Sequence, residues 1–445
     1  MAEQGRNPWY RRLGGVFFSV TRWLVPGLGV KRWLGLVLLG TTLLGVGLAI
    51  LVLDVYRTAP ETWWLPLISA ASLRFLPRLL RALIFGFLGI AAILGGIWGL
   101  NRSLMAPFIQ PGRRVVDTLA VHRRRGRGPR VVAIGGGHGL ATLLRGMKNY
   151  THNITAIVTV ADDGGSSGRL RQEMGILPPG DIRNCLAALS NDEAMLSQLF
   201  QYRFPNGTKG LEGHSFGNLF ITALAEISGS FEEAVAESGR VLSVSGRVLP
   251  STLHDVRLVA DVELPESASE IRVVGESSIP DSPGMVRRVW LEPNSPLAFP
   301  KALQAILNAD MIIIGPGSLY TSILPNLLVP DIAAAIRSSR ALKIYVCNVA
   351  TEQGETDDYT CGDHVHALIT HAGEGLFDII VSSINGFGEL PEGIRWVETE
   401  NDLEIEYPLH RSNLADSLQA WRHDSGKLAQ VLMDLYQERT GPLVE

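Results

Sequence analysis

Several short segments of this chain set small, acidic or hydroxyl residues where a phosphate or a divalent cation can be held. In the first, Gly135, Gly136, Gly137 and Gly139, with His138 among them, follow the apolar run Val131–Ile134 and precede Leu140 to Met147, which has helical spacing. Glycine allows positive φ and close approach to the backbone, and a helix N-terminus offers unbonded N–H groups, so the pattern suits a phosphate. A tight turn is the bland alternative, since the loop carries neither the Walker ending nor G-x-G-x-x-G. In the second segment ITAIVTV, a buried strand, runs into ADDGGSSGRLR. Asp162 and Asp163 then stand at a strand tip, where open α/β sheets bind ligands, and can hold magnesium or ribose hydroxyls, with Ser166 and Ser167 beside them. A solvated loop is the alternative, but ordering so many small residues in a row costs conformational entropy.

The third segment is LPPGDIRNCL, where Asp181 is expected to cap a helix and Arg183 and Asn184 to lie in its first turn, facing phosphate or Asp162. GHSFGNL repeats the design, with Gly213, His214 and Ser215 opening a helix and Asn218 one turn on. His214 is a candidate base or phosphate donor, although capping or packing is the commoner use of a lone histidine. In the fourth, Met311–Ile314 leads into Gly315, Pro316, Gly317 and Ser318, and a later strand ends at Asn348 before a loop holding Thr351, Glu355, Thr356 and Asp357. His364 and His366 are too close for a helical metal pair and read as surface residues.

Apolar strands alternating with helical segments predict a Rossmann-like, doubly wound, mostly parallel sheet over residues 130–445, with polar loops at four strand tips facing one crevice. Residues 253–292 alternate in short β-prone runs and predict a small antiparallel insertion. Before this domain, Trp33 to Leu53 is 21 residues without a charge and Ala82 to Leu100 is 19 more, each close to what a helix needs to cross the hydrocarbon. A two-helix transmembrane hairpin over 33–100 is expected, after a basic segment 1–32 and before a basic linker 101–129. Basic residues crowd both outer flanks (Arg6 to Arg32, Arg102 to Arg130), while the connection carries only Arg57, Arg74, Arg78 and Arg81. The positive-inside bias therefore places both ends, and the large domain, in the cytoplasm of a cell-membrane protein. The run from Val121 to Arg130 reads either as a solvated linker or as a contact for anionic lipid.

The net charge of −4 argues against nucleic acid as a partner. Cys185, Cys347 and Cys361 are odd in number and far apart, as reduced cytosolic thiols are.

Taken together, IGGGHGLATLLRG, ITAIVTVADDGGSSGRLR, PPGDIRNCL, GHSFGNL, GRVLP, GPGSLYTSILPNLLVP and VCNVATEQGETDDYT closely resemble the bacterial gluconeogenesis factor family, relatives of the 2-phospho-L-lactate transferases of coenzyme F420 synthesis. The resemblance covers about residues 130–370. It implies a fold that binds nucleotide diphosphate ligands, here a UDP-sugar such as UDP-N-acetylglucosamine or UDP-glucose, and a role in cell shape and cell-wall metabolism. Arg422, in WRHDSGK, matches a family segment expected to contact the UDP-sugar, and His138 stands where the family usually has threonine. The membrane, a nucleotide sugar and a second copy of the chain are the expected partners. A non-enzymatic sensor is the first functional expectation; a magnesium-dependent phospholactyl-type transferase using Asp162 or Asp163 is the alternative.

Overall fold

The computed structural model describes residues 30–55, 73, 76–105, 128–191, 195–264, 269–384, 388–400 and 403–441. Residues 1–29 of the basic N-terminal segment, Arg57 and Arg74 of the connection, and the linker arginines after Arg102 lie outside the described residues. The chain forms two compact units, Met1–Ala120 and Val121–Glu445.

The first unit contains α1 (Val30–Val55) and α2 (Arg78–Met105). They pack closely where glycine permits it: a Cβ on Gly40 would meet the Gly89 carbonyl at 2.9 Å, and one on Gly89 would meet Leu44 at 2.7 Å. Close backbone approach through small residues is the usual means by which apolar helices associate in lipid. Leu79–Leu100 is long and apolar enough to cross a membrane; in α1 the apolar stretch among the described residues is Gly35–Ile50. The outward side chains are apolar, Phe87 being 74% and Leu83 62% exposed.

The second unit is a doubly wound sheet. Its strands are β1 (Val131–Gly135), β2 (Ile154–Val158), β3 (Arg247–Pro250), β7 (Met311–Ile314), β8 (Leu342–Val346), β9 (Ile379–Ser383) and β10 (Leu409–Ser412). All pair in parallel, in the order β10-β9-β8-β7-β1-β2-β3. From β1 the chain runs outward through β2 to β3 and later returns to β7 on the other side, so the order reverses between β1 and β7. Such a switch point opens a crevice at the carboxyl ends of the strands. Side chains of β1 alternate between two cores, Val132 and Ile134 on one face of the sheet, Val131 and Ala133 on the other. This two-sided burial is why β1 and β7 read as continuous apolar runs.

The helices are α3 (Gly137–Met147), α4 (Gly165–Met174), α5 (Gly180–Leu189), α6 (Met195–Gln201), α7 (Phe216–Ser228), α8 (Phe231–Val241), α9 (Pro300–Leu307), α10 (Leu324–Leu327), α11 (Pro330–Ser338), α12 (Cys361–Ala372), α13 (Leu403–Glu406) and α14 (Ser425–Thr440). Between β3 and α9, strands β4 (Arg257–Glu263), β5 (Glu270–Val274) and β6 (Met285–Glu292) form the expected antiparallel sheet, in the order β5-β4-β6. The three cysteines are free and buried. One expectation is corrected here: His364 is buried, not on the surface, because it lies on the inner face of α12 with Nδ1 2.8 Å from the Thr360 carbonyl. His366 is exposed.

Candidate functional site

The glycine turn after β1 and the one after β7 pack on each other. A Cβ on Gly139 would meet the Pro316 carbonyl at 2.6 Å and Gly317 Cα at 2.8 Å, so only glycine lets the loops approach. Gly137 has φ +61°, a left-handed conformation that glycine adopts without strain. Asn348 locks the second turn: its Nδ2 donates to the Gly317 carbonyl at 3.0 Å and its Oδ1 accepts the Gly317 N–H at 3.2 Å. α3 begins without a side-chain cap. Its Gly137 N–H donates to Asp181, and the amides of His138 and Gly139 have no partner among the described residues. Those amides, at the positive end of the helix, are what an anionic ligand requires.

Above the turns lies a cavity of about 510 Å³. Gly136, Gly137, His138, Gly139, Gly317 and Ser318 line its floor, Asn348 the β8 side, and Arg422 reaches it from the segment before α14. Thus eight of the residues singled out in the sequence meet at one surface. Arg422 is exposed and supplies the positive charge; with burial foremost, it also helps lower the pKa of His138, keeping that imidazole neutral.

Ser166, Ser167, Arg183, Asn184, His214, Ser215 and Asn218 are also brought together, but in a buried network behind the cavity wall. Arg183 Nη1 donates to Ser215 Oγ at 2.5 Å and to Asn218 Oδ1 at 3.1 Å, and Nη2 to Asn184 Oδ1 at 2.9 Å. His214 Nδ1 lies 3.0 Å from Ser166 Oγ, and Asn218 Nδ2 donates to Ser166 and Ser167. Ser215 caps α7 by accepting from the Asn218 N–H. Burial lowers the pKa of His214. Gly315, at φ +80°, shapes the second turn without lining the cavity.

Asp181 does not cap α5, which has no side-chain cap; it sits inside the first turn and faces the glycine loop. A Cβ on Gly136 would overlap its Oδ2. Burial of the carboxyl, with the charge of Asp162, pushes Asp181 up to about 7. Burial also raises Asp162, whose Oδ1 accepts the Gly164 N–H at 2.9 Å. The two adjacent aspartates therefore have different roles. Asp163 turns away to the insertion, its Oδ1 accepting the Ser277 N–H and Oγ, both at 2.9 Å. The same contact carries Glu276 into the cavity, where burial and neighbouring carboxylates push it up to about 9.

Other cavity residues escaped the sequence reading. Among them, Trp421 and Ile394 give it an apolar side, Glu352 a carboxyl bonded to Ser318, and His423 a buried imidazole whose Nε2 has no partner among the described residues. Burial lowers His423 to about 4, so it is neutral. Trp421 and His423 flank the one residue of that segment that drew attention; Glu276 lay in a region legible only as β-prone.

The parallel sheet and its glycine turns at the switch point define a Rossmann-like α/β protein. The family model for 2-phospho-L-lactate transferase CofD matches residues 131–417. The chain belongs to the gluconeogenesis factor family. A gluconeogenesis factor from Bacillus subtilis (strain 168) is 46% identical, matching 70% of this chain and 100% of its own length. A relative of the same family from Nostoc sp. is 47% identical over 98% of this chain and 96% of its own length. A crystal structure of a UPF0052 family member from Bacillus halodurans superposes with a TM-score of 0.63 at 43% identity, covering 69% of this chain and 99% of that one.

Proposed function

We propose that this protein is a membrane-tethered receptor for a UDP-sugar that regulates cell shape and cell-wall metabolism during gluconeogenic growth. One observation carries the reading: the uncapped start of α3, two mutually packed glycine turns and Arg422 converge on one cavity at the switch point. In it the diphosphate lies over the amides of His138 and Gly139, with Arg422 supplying charge-assisted hydrogen bonds. Trp421 and Ile394 suit the base, and the neutral acids Asp181 and Glu276 suit the hydroxyls of a sugar. The tether reading is supported by the apolar outer surface of α2 and its span Leu79–Leu100.

The alternative is a phospholactyl-type transferase with magnesium, favoured by the match to the CofD model. The oxygen donors of Asp162 and Asp181 fit that ion. Among the described residues no three acidic, histidine or cysteine side chains form a metal cluster, so the ion would have to share the phosphate oxygens of its ligand.

Titration of the detergent-purified full chain with UDP-N-acetylglucosamine, UDP-glucose and GDP separates the readings. Saturable binding of a UDP-sugar, unaffected by EDTA and not matched by GDP, is expected. Magnesium-dependent binding with a preference for GDP would overturn the receptor reading in favour of the transferase.

A further inference from the structure

The opposite end of the sheet has its own cavity, of about 500 Å³. Its walls are the first residues of β1, β2 and β3 and one face of α9, where Lys301, Gln304, Ala305 and Asn308 recur at helical spacing. Arg130, Arg247 and Lys301 line it, and no carboxylate does among the described lining residues. Arg130 is engaged by Asp310, with Nη2 2.5 Å from Oδ1, and Lys301 by Glu232. Arg247 reaches only the Thr155 hydroxyl, at 3.3 Å, and has no carboxylate partner among the described residues. Arg240, paired with Glu237, closes α8, and Arg337 and Arg340 lie at and beyond the end of α11, so further cations reach this end beside the acids Asp310 and Asp378 that precede β7 and β9.

Chain connectivity gives the basic end a direction. Arg130 enters β1 from this edge, and it closes a run, HRRRGRGPR, that follows the apolar helix α2. We propose that this end of the α/β domain docks on anionic lipid headgroups through the groove lined by Arg130, Arg247 and Lys301. The proposal rests on the membrane tether inferred above. Each basic residue near an anionic leaflet contributes about fivefold in affinity, and the tether keeps the groove at high local lipid concentration. Since the two cavities lie at opposite edges of the sheet, docking leaves the ligand cavity open to the cytoplasm. The chemistry recognised is a phosphate monoester or diester, and the lipid headgroup is the source favoured by the connectivity.

The test uses the chain truncated to Val121–Glu445, because the B. subtilis relative consists of the matching region alone. It is sedimented with vesicles of phosphatidylcholine, with or without phosphatidylglycerol. Two variants are compared: Arg247→Glu with Lys301→Glu, and a linker variant in which Arg123, Arg124 and Arg125 become Ser. Binding that requires phosphatidylglycerol and falls at least about tenfold in the groove variant, with melting temperature and UDP-sugar affinity unchanged, is expected. Three results would overturn the proposal: no preference for phosphatidylglycerol, loss only in the linker variant, or displacement from vesicles by inorganic phosphate at constant ionic strength, which marks a free-anion site. The tether is judged separately. Extraction of the full chain from membranes by alkaline carbonate without detergent would reject it whatever the vesicles show.

Discussion

Arg422 is exposed yet faces the cavity, so its guanidinium serves a ligand more than the fold. Arg422→Ala is expected to weaken UDP-sugar binding by about 1.5–3 kcal/mol, the scale of a charged hydrogen bond, and to leave the melting temperature within about a degree. Calorimetric titration beside a thermal melt reads both. The acids behave oppositely. Asp181, Glu355 and Glu276 are raised to about 7, about 8 and about 9, so the folded protein keeps protons that the unfolded chain releases near pH 4. Their contribution is present in full below about pH 4 and is lost as pH rises through about 7 to 9. Melting temperature should therefore fall from about pH 4 upward and level off once pH has passed about 7 to 9, and Glu276→Gln should flatten the fall; an unchanged slope in the variant would refute the assignment. At this scale the glycines, Ser318 and Arg422 that line the cavity could be picked out in the sequence, because they stand out by local backbone geometry or by a motif. Glu276, Trp421 and His423 stayed hidden, since tertiary packing alone brings them to the cavity. Asp181 was visible but assigned the wrong role. Its position before a helix suggested a cap, whereas burial against Gly136 gives it the glycine loop.

Among the elements, α3 both lines the cavity with its first turn and packs against α14. A Cβ on Gly146 would overlap the Ser425 carbonyl and lie 2.8 Å from Ala429 Cβ. Gly146→Ala is expected to cost about 1–3 kcal/mol by overpacking while leaving ligand affinity intact in the folded fraction, as none of Gly146, Ser425 and Ala429 lines the cavity. Denaturant unfolding, followed by titration, measures the two effects separately. The insertion is a second element with a double role, since Ser277 holds Asp163 and so places Glu276. Asp163→Asn should weaken that hold and lower UDP-sugar affinity indirectly, by an amount that Ser277→Ala reproduces; additive losses in the double variant would contradict the shared contact. β1, β2 and β7 were legible because both faces are buried and their residues are almost all apolar, whereas β10, Leu-His-Arg-Ser and half-buried, leaves no such run. The insertion was legible as antiparallel strands, but its reach into the site was not, because a loop contact between residues 163 and 277 leaves no periodic trace.

For the whole molecule, the hairpin reading places both chain ends on one side of the membrane, and reporters fused at residue 1 and after Glu445 should both be cytoplasmic. An external C-terminal reporter would reject that topology. The central claim is that the crossed glycine turns form a diphosphate cradle, and Gly137 tests it most directly. At φ +61° a Cβ there meets only Ser322 Oγ, at 3.6 Å, so a larger side chain enters the space the ligand needs. Gly137→Val brings backbone strain of about 1–3 kcal/mol, which is why the decisive readout is ligand-induced stabilisation measured against the variant's own melting temperature. The expected result is a variant that still melts cooperatively, somewhat lower, and no longer shifts when UDP-N-acetylglucosamine is added. A variant whose melting temperature rises with the ligand as much as the unaltered protein's does would contradict the cradle.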